Sequence, residues 1–335
     1  MRNNPRYRLA ILAAILLLFP AVRLIAEDIE IGADFTIGVD DDWDLVEVPH
    51  LEVNFEVDLE FLDSSFIRVQ VEATKRDVDV DHLFLDFTTN ELVSLSIGKM
   101  KNYLTLGEYI PRRKKLIFVD DLVTRNLEYQ GYSSRSTGIR VYRKYDKEGP
   151  PFSYFSHAFF ASNNFEPQLD AGFLYHFDGD DSFLGILGSY YPFFVRAMTF
   201  GVRPEFLRIS HHFTIDVFIA YLEGPLLWQF EFSAGNNIES SLPGTDTAFG
   251  GSGFFSGGTL GVGRDIEVDR ITITPAIRYS VLLPDTSNLS GRQEEIRGSA
   301  SFVIKKRLSI HANGGIEFFM GVRRAIWGFQ INARF

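Results

Sequence analysis

Cysteine is absent from this 335-residue sequence, and methionine and tryptophan are scarce, with 4 and 3 residues. Without cysteine the chain has no disulfide bond, no thiolate metal site, no cysteine nucleophile and no lipid-modified N-terminal cysteine. A basic excess is also missing, because the formal net charge is −11. A nucleic-acid partner is therefore not expected, since the composition offers no surplus of cations to neutralise phosphates. Phenylalanine, by contrast, is abundant, with 32 residues.

Residues 1–26 have the features of a secretory signal peptide. Three arginines precede an apolar segment, Leu9 to Phe19, which is too short for the roughly 20 residues of a membrane-spanning helix. We expect cleavage after Ala26, with a retained N-terminal anchor helix as the alternative. The exported chain, residues 27–335, would then be more acidic still, because the removed segment carries four arginines and no acid.

Beyond residue 26 the apolar side chains recur with a period of two rather than about 3.6. In residues 51–61, for example, Leu, Val and Phe alternate with Glu, Asn and Asp, and the alternation returns in residues 169–177 and 308–318. Such a segment forms a strand with one apolar and one polar face, whereas a helix would spread its carboxylates around every side. No amphipathic helix is expected in this part of the chain.

Two architectures use alternation on this scale: a soluble sandwich or barrel with a dry core, and an outer-membrane barrel whose apolar side contacts lipid. The alternating segments match the roughly 9 to 11 residues of a tilted membrane-crossing strand better than the roughly 5 to 6 of a globular strand. We therefore predict an all-β protein, a transmembrane antiparallel β-barrel over residues 27–335. Its expected location is the bacterial outer membrane, with membrane lipid as a partner.

The number of strands follows from the turns between the alternating segments. Roughly seventeen candidates are present, and a single-chain barrel needs an even number. Sixteen strands are predicted, with fourteen as the alternative, and the weakest candidates are residues 82–88 and 196–202. A barrel of about sixteen strands is wide enough to keep an aqueous channel.

The end of the chain carries a specific local signal. Apolar residues alternate through residues 325–335 and stop at a terminal aromatic side chain, which resembles the C-terminal strand that the barrel-assembly machinery recognises. The residues of this predicted assembly signal are Trp327, Phe329, Ile331 and Phe335.

One long connection, residues 102–137, interrupts the alternation. A connection of this length among tight turns is usually functional or disordered. Apolar residues along it can pack against a wall, which favours an ordered segment: Leu104, Leu106, Ile110, Leu116, Ile117 and Phe118.

Five short motifs lie in and around this connection: Ile97-Gly98-Lys99-Met100-Lys101, Leu106-Gly107-Glu108, Leu116-Ile117-Phe118, Arg125-Asn126 and Arg135-x-x-Gly138-Ile139-Arg140-Val141. Together they resemble the phosphate-selective porin O/P family. The resemblance implies a sixteen-stranded, trimeric porin whose long loop folds inward to narrow the channel. It also implies that arginine and lysine side chains favour anions such as phosphate.

The charged residues expected along such a pore form two sets. The basic set joins a run in the long connection to further arginines: Arg112, Arg113, Lys114, Lys115, Arg125, Arg135, Arg140, Arg278 and Arg297. The acidic set comes from two neighbouring strands: Glu30, Asp34, Glu52, Glu56, Asp58 and Glu60. A basic loop opposite an acidic wall produces a transverse field across the opening. The alternative for residues 112–115 is a solvated tip of an outward loop.

These features predict passive diffusion of small hydrophilic solutes or ions, with an anion (phosphate) preference. Two alternatives belong to other classes: a structural or adhesive surface barrel with a plugged lumen, and a barrel enzyme such as a lipase or protease. His157, His176 and His311 are available to an enzyme, but no partner follows from spacing. We expect a homotrimer, no catalytic residue, no cofactor and no metal site, so the chain is predicted not to be an enzyme.

Overall fold

The computed structural model describes residues 29–40, 47–58, 65–73, 78–90, 92–101, 104–110, 115–117, 120–130, 132, 135–160, 167–177, 179, 181–196, 207–237, 253–286, 289–304 and 308–334. In β1 to β3, defined below, the description covers the backbone and its pairing. The predicted signal peptide and the terminal Phe335 lie outside these residues.

Most of the described residues belong to one antiparallel sheet, which confirms the predicted all-β architecture. Its seventeen strands are β1 Ile29–Asp40, β2 Glu47–Asp58, β3 Ser65–Ala73, β4 Val78–Asn90, β5 Val93–Lys101, β6 Arg135–Arg143, β7 Phe152–Phe160, β8 Pro167–His176, β9 Ser182–Arg196, β10 Leu207–Tyr221, β11 Leu226–Asn236, β12 Phe254–Arg264, β13 Ile266–Val268, β14 Ile271–Leu283, β15 Gln293–Ile304, β16 Leu308–Phe319 and β17 Val322–Arg334.

Consecutive strands pair with each other except β12 and β13, which both pair with β14, and β1 pairs with β17, so the sheet returns on itself. β12 and the three-residue β13 follow one another along β14 and are interrupted at Asp265, so they form one span. The described residues therefore form sixteen spans, in agreement with the predicted number. The candidate at residues 82–88 is part of β4, whereas of the candidate at 196–202 only Arg196, the last residue of β9, is described.

The apolar side chains of the alternating strands point outward, as predicted. Ile186 and Ile277 leave 52% and 57% of their surface exposed, although the residues beside them in the strand, such as Leu187 and Arg278, are buried. A soluble protein would hide such a face in a dry core, while a membrane barrel presents it to lipid. The exposure pattern therefore supports the membrane interpretation.

Two helices correct the prediction that no helix follows residue 26. α1 (Leu106–Tyr109) and α2 (Leu122–Tyr129) both lie in the long connection. They escaped detection because segments of four and eight residues are too short for a 3.6-residue period to show. No helix among the described residues is long and apolar enough to cross a membrane.

The long connection also ends earlier than predicted. β6 begins at Arg135 rather than at Gly138, because β5 continues to Lys101 and pairs there with Arg135. The connection thus spans residues 102–134 and is called the inner loop below. Beneath it, Gly98 has φ +145°, and a Cβ at this position would lie 2.2 Å from the Leu83 carbonyl oxygen. Only glycine fits there.

Candidate pore constriction

The described residues of the inner loop lie inside the barrel. Its apolar side chains are buried against residues of β7 to β11 whose neighbours in sequence are exposed on the outer face. The first cluster joins four loop residues to eight wall residues: Leu106, Ile110, Leu116 and Ile117 with Phe155, Leu174, Phe183, Leu187, Phe218, Ala220, Leu222 and Leu227. The apolar residues predicted to pack do so, except that Phe118 lies outside the described residues.

A second apolar cluster seats α2 on β12 and β14: Leu104, Leu122, Val123, Leu127 and Tyr132 with Phe255 and Leu282. Glycines on the inner face of β12 allow this approach. A Cβ on Gly257 would come within 2.9 Å of the Val123 side chain, and one on Gly263 within 2.8 Å of the Leu116 side chain. The β12 glycines therefore allow the inner loop to pack closely against the barrel wall.

Polar contacts fix the loop backbone between these clusters. The Leu106 amide donates to Glu231 Oε1 at 2.9 Å, and Ser299 Oγ donates to the Leu116 carbonyl at 2.6 Å. The Thr124 amide donates to Asp121 Oδ1 at 2.9 Å, so Asp121 supplies a carboxylate to the first turn of α2. Backbone groups of the loop are thus paired although water is excluded around them.

Tyr132 attaches the C-terminal end of the inner loop to the barrel wall. Its hydroxyl lies 2.9 Å from the Asn236 carbonyl and 3.2 Å from the Phe213 carbonyl, and its own carbonyl accepts from Gln168 Nε2 at 3.1 Å. Burial raises the pKa of Tyr132 above its ordinary value of 10, so the hydroxyl stays protonated and can donate.

Three residues of the predicted basic set meet around one carboxylate. Glu295, fully buried on β15, lies 2.7 Å from Arg125, 2.7 Å from Arg278 and 3.1 Å from Arg297. Arg125 also lies 3.5 Å from Glu317 on β16. Only 4% and 5% of the Arg278 and Arg297 side chains are exposed, against 41% of Arg125.

The rest of the basic set lies elsewhere. Arg140 is buried on β6, where its guanidinium carbon lies 5.9 Å from the Phe84 ring centre and 5.4 Å from that of Tyr142. Lys115 is half-buried, and Arg135 is placed by its backbone at the start of β6. Arg112, Arg113 and Lys114 lie outside the described residues.

The acidic wall is described by strand register. Asp34 pairs with Glu52, Glu52 with Glu72, and Glu72 with Asp79, which places four acidic residues in one row across β1 to β4. The remaining predicted residues are placed by their strands or lie outside the described residues: Glu30 in β1, Glu56 and Asp58 in β2, and Glu60.

Three residues of the predicted assembly signal, Trp327, Phe329 and Ile331, lie on β17, the strand that pairs with β1, whereas Phe335 lies outside the described residues. Phe329 is exposed on the outer face, while Trp327 and Ile331 on the same face are half-buried. Alternate apolar residues of β17 therefore lie on the outer face as far as Ile331.

Sequence reasoning missed Glu295 and Glu317, the carboxylates that hold the arginines, and Glu72 and Asp79 of the acidic row. The signal for Glu295 was available, since it precedes Arg297 by two residues and must share its face. The sequence carries no such signal for the contact of Arg125 with Glu295, because the two residues are separated by 170 positions.

No family model and no curated protein matches the chain. Solved structures do match. A loop-deletion mutant of OmpT, an outer membrane protein of Vibrio cholerae, aligns with TM-score 0.61 at 12% identity over 92% of this chain and 99% of that one. Salmonella typhi OmpF aligns with 0.61 at 12% over 92% and 97%. The outer membrane channel DcaP of Acinetobacter baumannii aligns with 0.59 at 12% over 92% and 97%.

The chain therefore has the fold of outer-membrane β-barrel proteins. One prediction is corrected here, namely that the chain is not an enzyme. A likeness at 12% identity to Vibrio cholerae OmpT shows the fold alone, and one fold hosts many functions. The exclusion of catalysis is accordingly withdrawn.

Proposed function

We propose that the chain is a passive outer-membrane channel for small hydrophilic solutes or ions, narrowed by the inner loop. The observation that carries the proposal is that the described residues of the inner loop pack inside a sheet of sixteen spans with an apolar exterior. A barrel of this width is not filled by its own side chains, so a loop anchored to one wall defines the opening. The likeness to the channel DcaP supports the same function.

The anion preference, with phosphate as the solute, is the finer proposal. It is supported by the motifs between residues 97 and 141 that resemble those of the O/P family, and by Arg125, whose side chain is 41% exposed inside the barrel. The acidic row of β1 to β4 carries negative charge, which favours cations. An anion preference therefore also requires the positive charges of residues 112–115. Positive charge in a narrow passage is screened less than on an open surface.

Export, assembly and oligomerisation complete the proposal. Cleavage after Ala26 would release the mature chain, and the alternating end of β17 would be recognised by the barrel-assembly machinery. A homotrimer is proposed because one structure of Vibrio cholerae OmpT, at 12% identity, is of a trimer form. N-terminal sequencing of the membrane protein and native mass spectrometry in detergent test the first and last of these points.

A second candidate function is a structural barrel with a plugged lumen. The two apolar clusters favour it, because they attach the inner loop firmly to the wall from β7 to β14 and fill part of the interior. The two candidates differ in one measurable quantity, the ion current that crosses a membrane containing the folded protein.

Purified protein in planar bilayers separates them. A channel gives discrete conductance steps, whereas a plugged barrel is silent although it remains heat-modifiable on gels, which shows that it is folded.

Replacing residues 112–115 with neutral side chains tests the anion preference. We expect the reversal potential in a salt gradient to shift towards cations, while neutralising the exposed Arg323 of β17 serves as the control and leaves it unchanged. An equal potential in both variants would contradict the preference.

A further inference from the structure

Glu295 is the carboxylate that three arginines of the constriction share, Arg125, Arg278 and Arg297. Arg278 of β14 and Arg297 of β15 are direct cross-strand partners, so two like charges face each other in the sheet. Such pairs repel unless a counter-charge intervenes. The Glu295 carboxylate supplies it, with Oε1 2.7 Å from Arg278 and Oε2 3.1 Å from Arg297.

The same carboxylate reaches across to the inner loop. Glu295 and Glu317 are cross-strand partners on β15 and β16, and Arg125 from α2 contacts both. The contact with Glu295 is 2.7 Å, while that with Glu317 is 3.5 Å. Glu295 therefore holds Arg125 more closely than Glu317 does, and Arg125 is the member of the network that is well exposed to the lumen.

We propose that Glu295 is a specificity-determining residue that sets the charge which this wall of the constriction presents to permeating ions. The three arginines and two glutamates carry a net charge of +1, and Glu295 cancels one arginine charge while fixing Arg125 against the wall. The proposal rests on the channel function proposed above. Without the Glu295 charge the network carries one more positive charge, and the remaining ion pair of Arg125 in the network is the longer one, with Glu317.

The test is the reversal potential of Glu295→Gln in planar bilayers under a salt gradient. Glutamine keeps the side-chain shape and removes the charge. We expect the anion-to-cation permeability ratio to rise about tenfold. One unit charge roughly 6 Å from the ion path in water raises the local concentration of an anion about threefold and lowers that of a cation about threefold. The reversal potential does not depend on how many channels insert, so a loss of yield alone does not move it.

Glu294→Gln is the matched control, because it removes the same charge from the neighbouring residue of the same strand. Glu294 lies on the other face, bound to Arg292 at 2.8 Å and to the Tyr279 hydroxyl at 3.0 Å, away from the inner loop. Its permeability ratio should equal that of the wild type. An equal shift in both variants would mean that the effect is long-range and would overturn the proposal.

Arg125→Gln is the second variant, and it does not disturb the buried arginine pair. We expect its anion-to-cation permeability ratio to fall about tenfold, opposite to Glu295→Gln. If Glu295→Gln does not fold, as judged by heat-modifiability, this variant decides the proposal alone. Unchanged selectivity in a conducting Arg125→Gln channel refutes it. A wild-type protein that folds but never conducts refutes the channel function instead.

Discussion

The seating of the inner loop can be tested at Leu127, a residue of α2. Its side chain is fully buried between the loop and the wall, in the cluster with Phe255 and Leu282. Truncation of a buried leucine to alanine costs about 2 to 5 kcal/mol. Because the loop is covalently held at both ends and the strand ladder does not include Leu127, this loss acts on the docking of the loop rather than on the barrel.

A loss of this size lowers the ratio of docked to undocked loop by a factor of about 30 to 4,000. Hydrogen–deuterium exchange followed by mass spectrometry reads that ratio directly, because exposed amides exchange in the undocked state. In Leu127→Ala, peptides from residues 120–130 should exchange faster, while peptides from β14 and β15 should keep wild-type rates. Current noise through single channels should rise in parallel.

The control is Leu260→Ala, on the outer face of β12 with 49% of its surface exposed. It removes the same atoms without touching the loop, so loop exchange should match the wild type. Wild-type loop exchange in Leu127→Ala would show that the cluster does not hold the loop and would refute the proposed constriction.

Three further predictions test the barrel and the loop anchor. Gly98→Ala should lower yield and urea resistance, because its Cβ would meet the Leu83 carbonyl at 2.2 Å; alanine at Gly298, where nothing lies closer than 3.9 Å, should be tolerated. Tyr132→Phe leaves the Asn236 and Phe213 carbonyls without this donor and should cost about 1 to 3 kcal/mol of loop docking, measured as faster exchange near residue 130. Ile277→Arg should cost about 2 to 4 kcal/mol in folding into lipid vesicles, since the outer face meets hydrocarbon; no loss would contradict the lipid-facing assignment.

The barrel could be derived from the sequence because strand alternation is a local property. Each segment reports its own two faces, so the outward position of Ile186 and Ile277 follows without knowledge of any neighbour. The strand number followed as well, since turns are also local. α2 was missed for the opposite reason: eight residues give too little periodicity, and packing against β12 and β14 rather than pattern stabilises it.

The candidate site divides in the same way. The sequence by itself determined that Arg278 and Arg297 lie on the inner face, because each occupies an alternate position of a strand. Only the tertiary structure decided that the inner loop brings Arg125 to the same Glu295, across 170 residues of chain, and that most of the arginine charge there is paired. Charge pairing depends on which strands become neighbours and where a loop docks, and those are properties of the closed sheet rather than of any one segment.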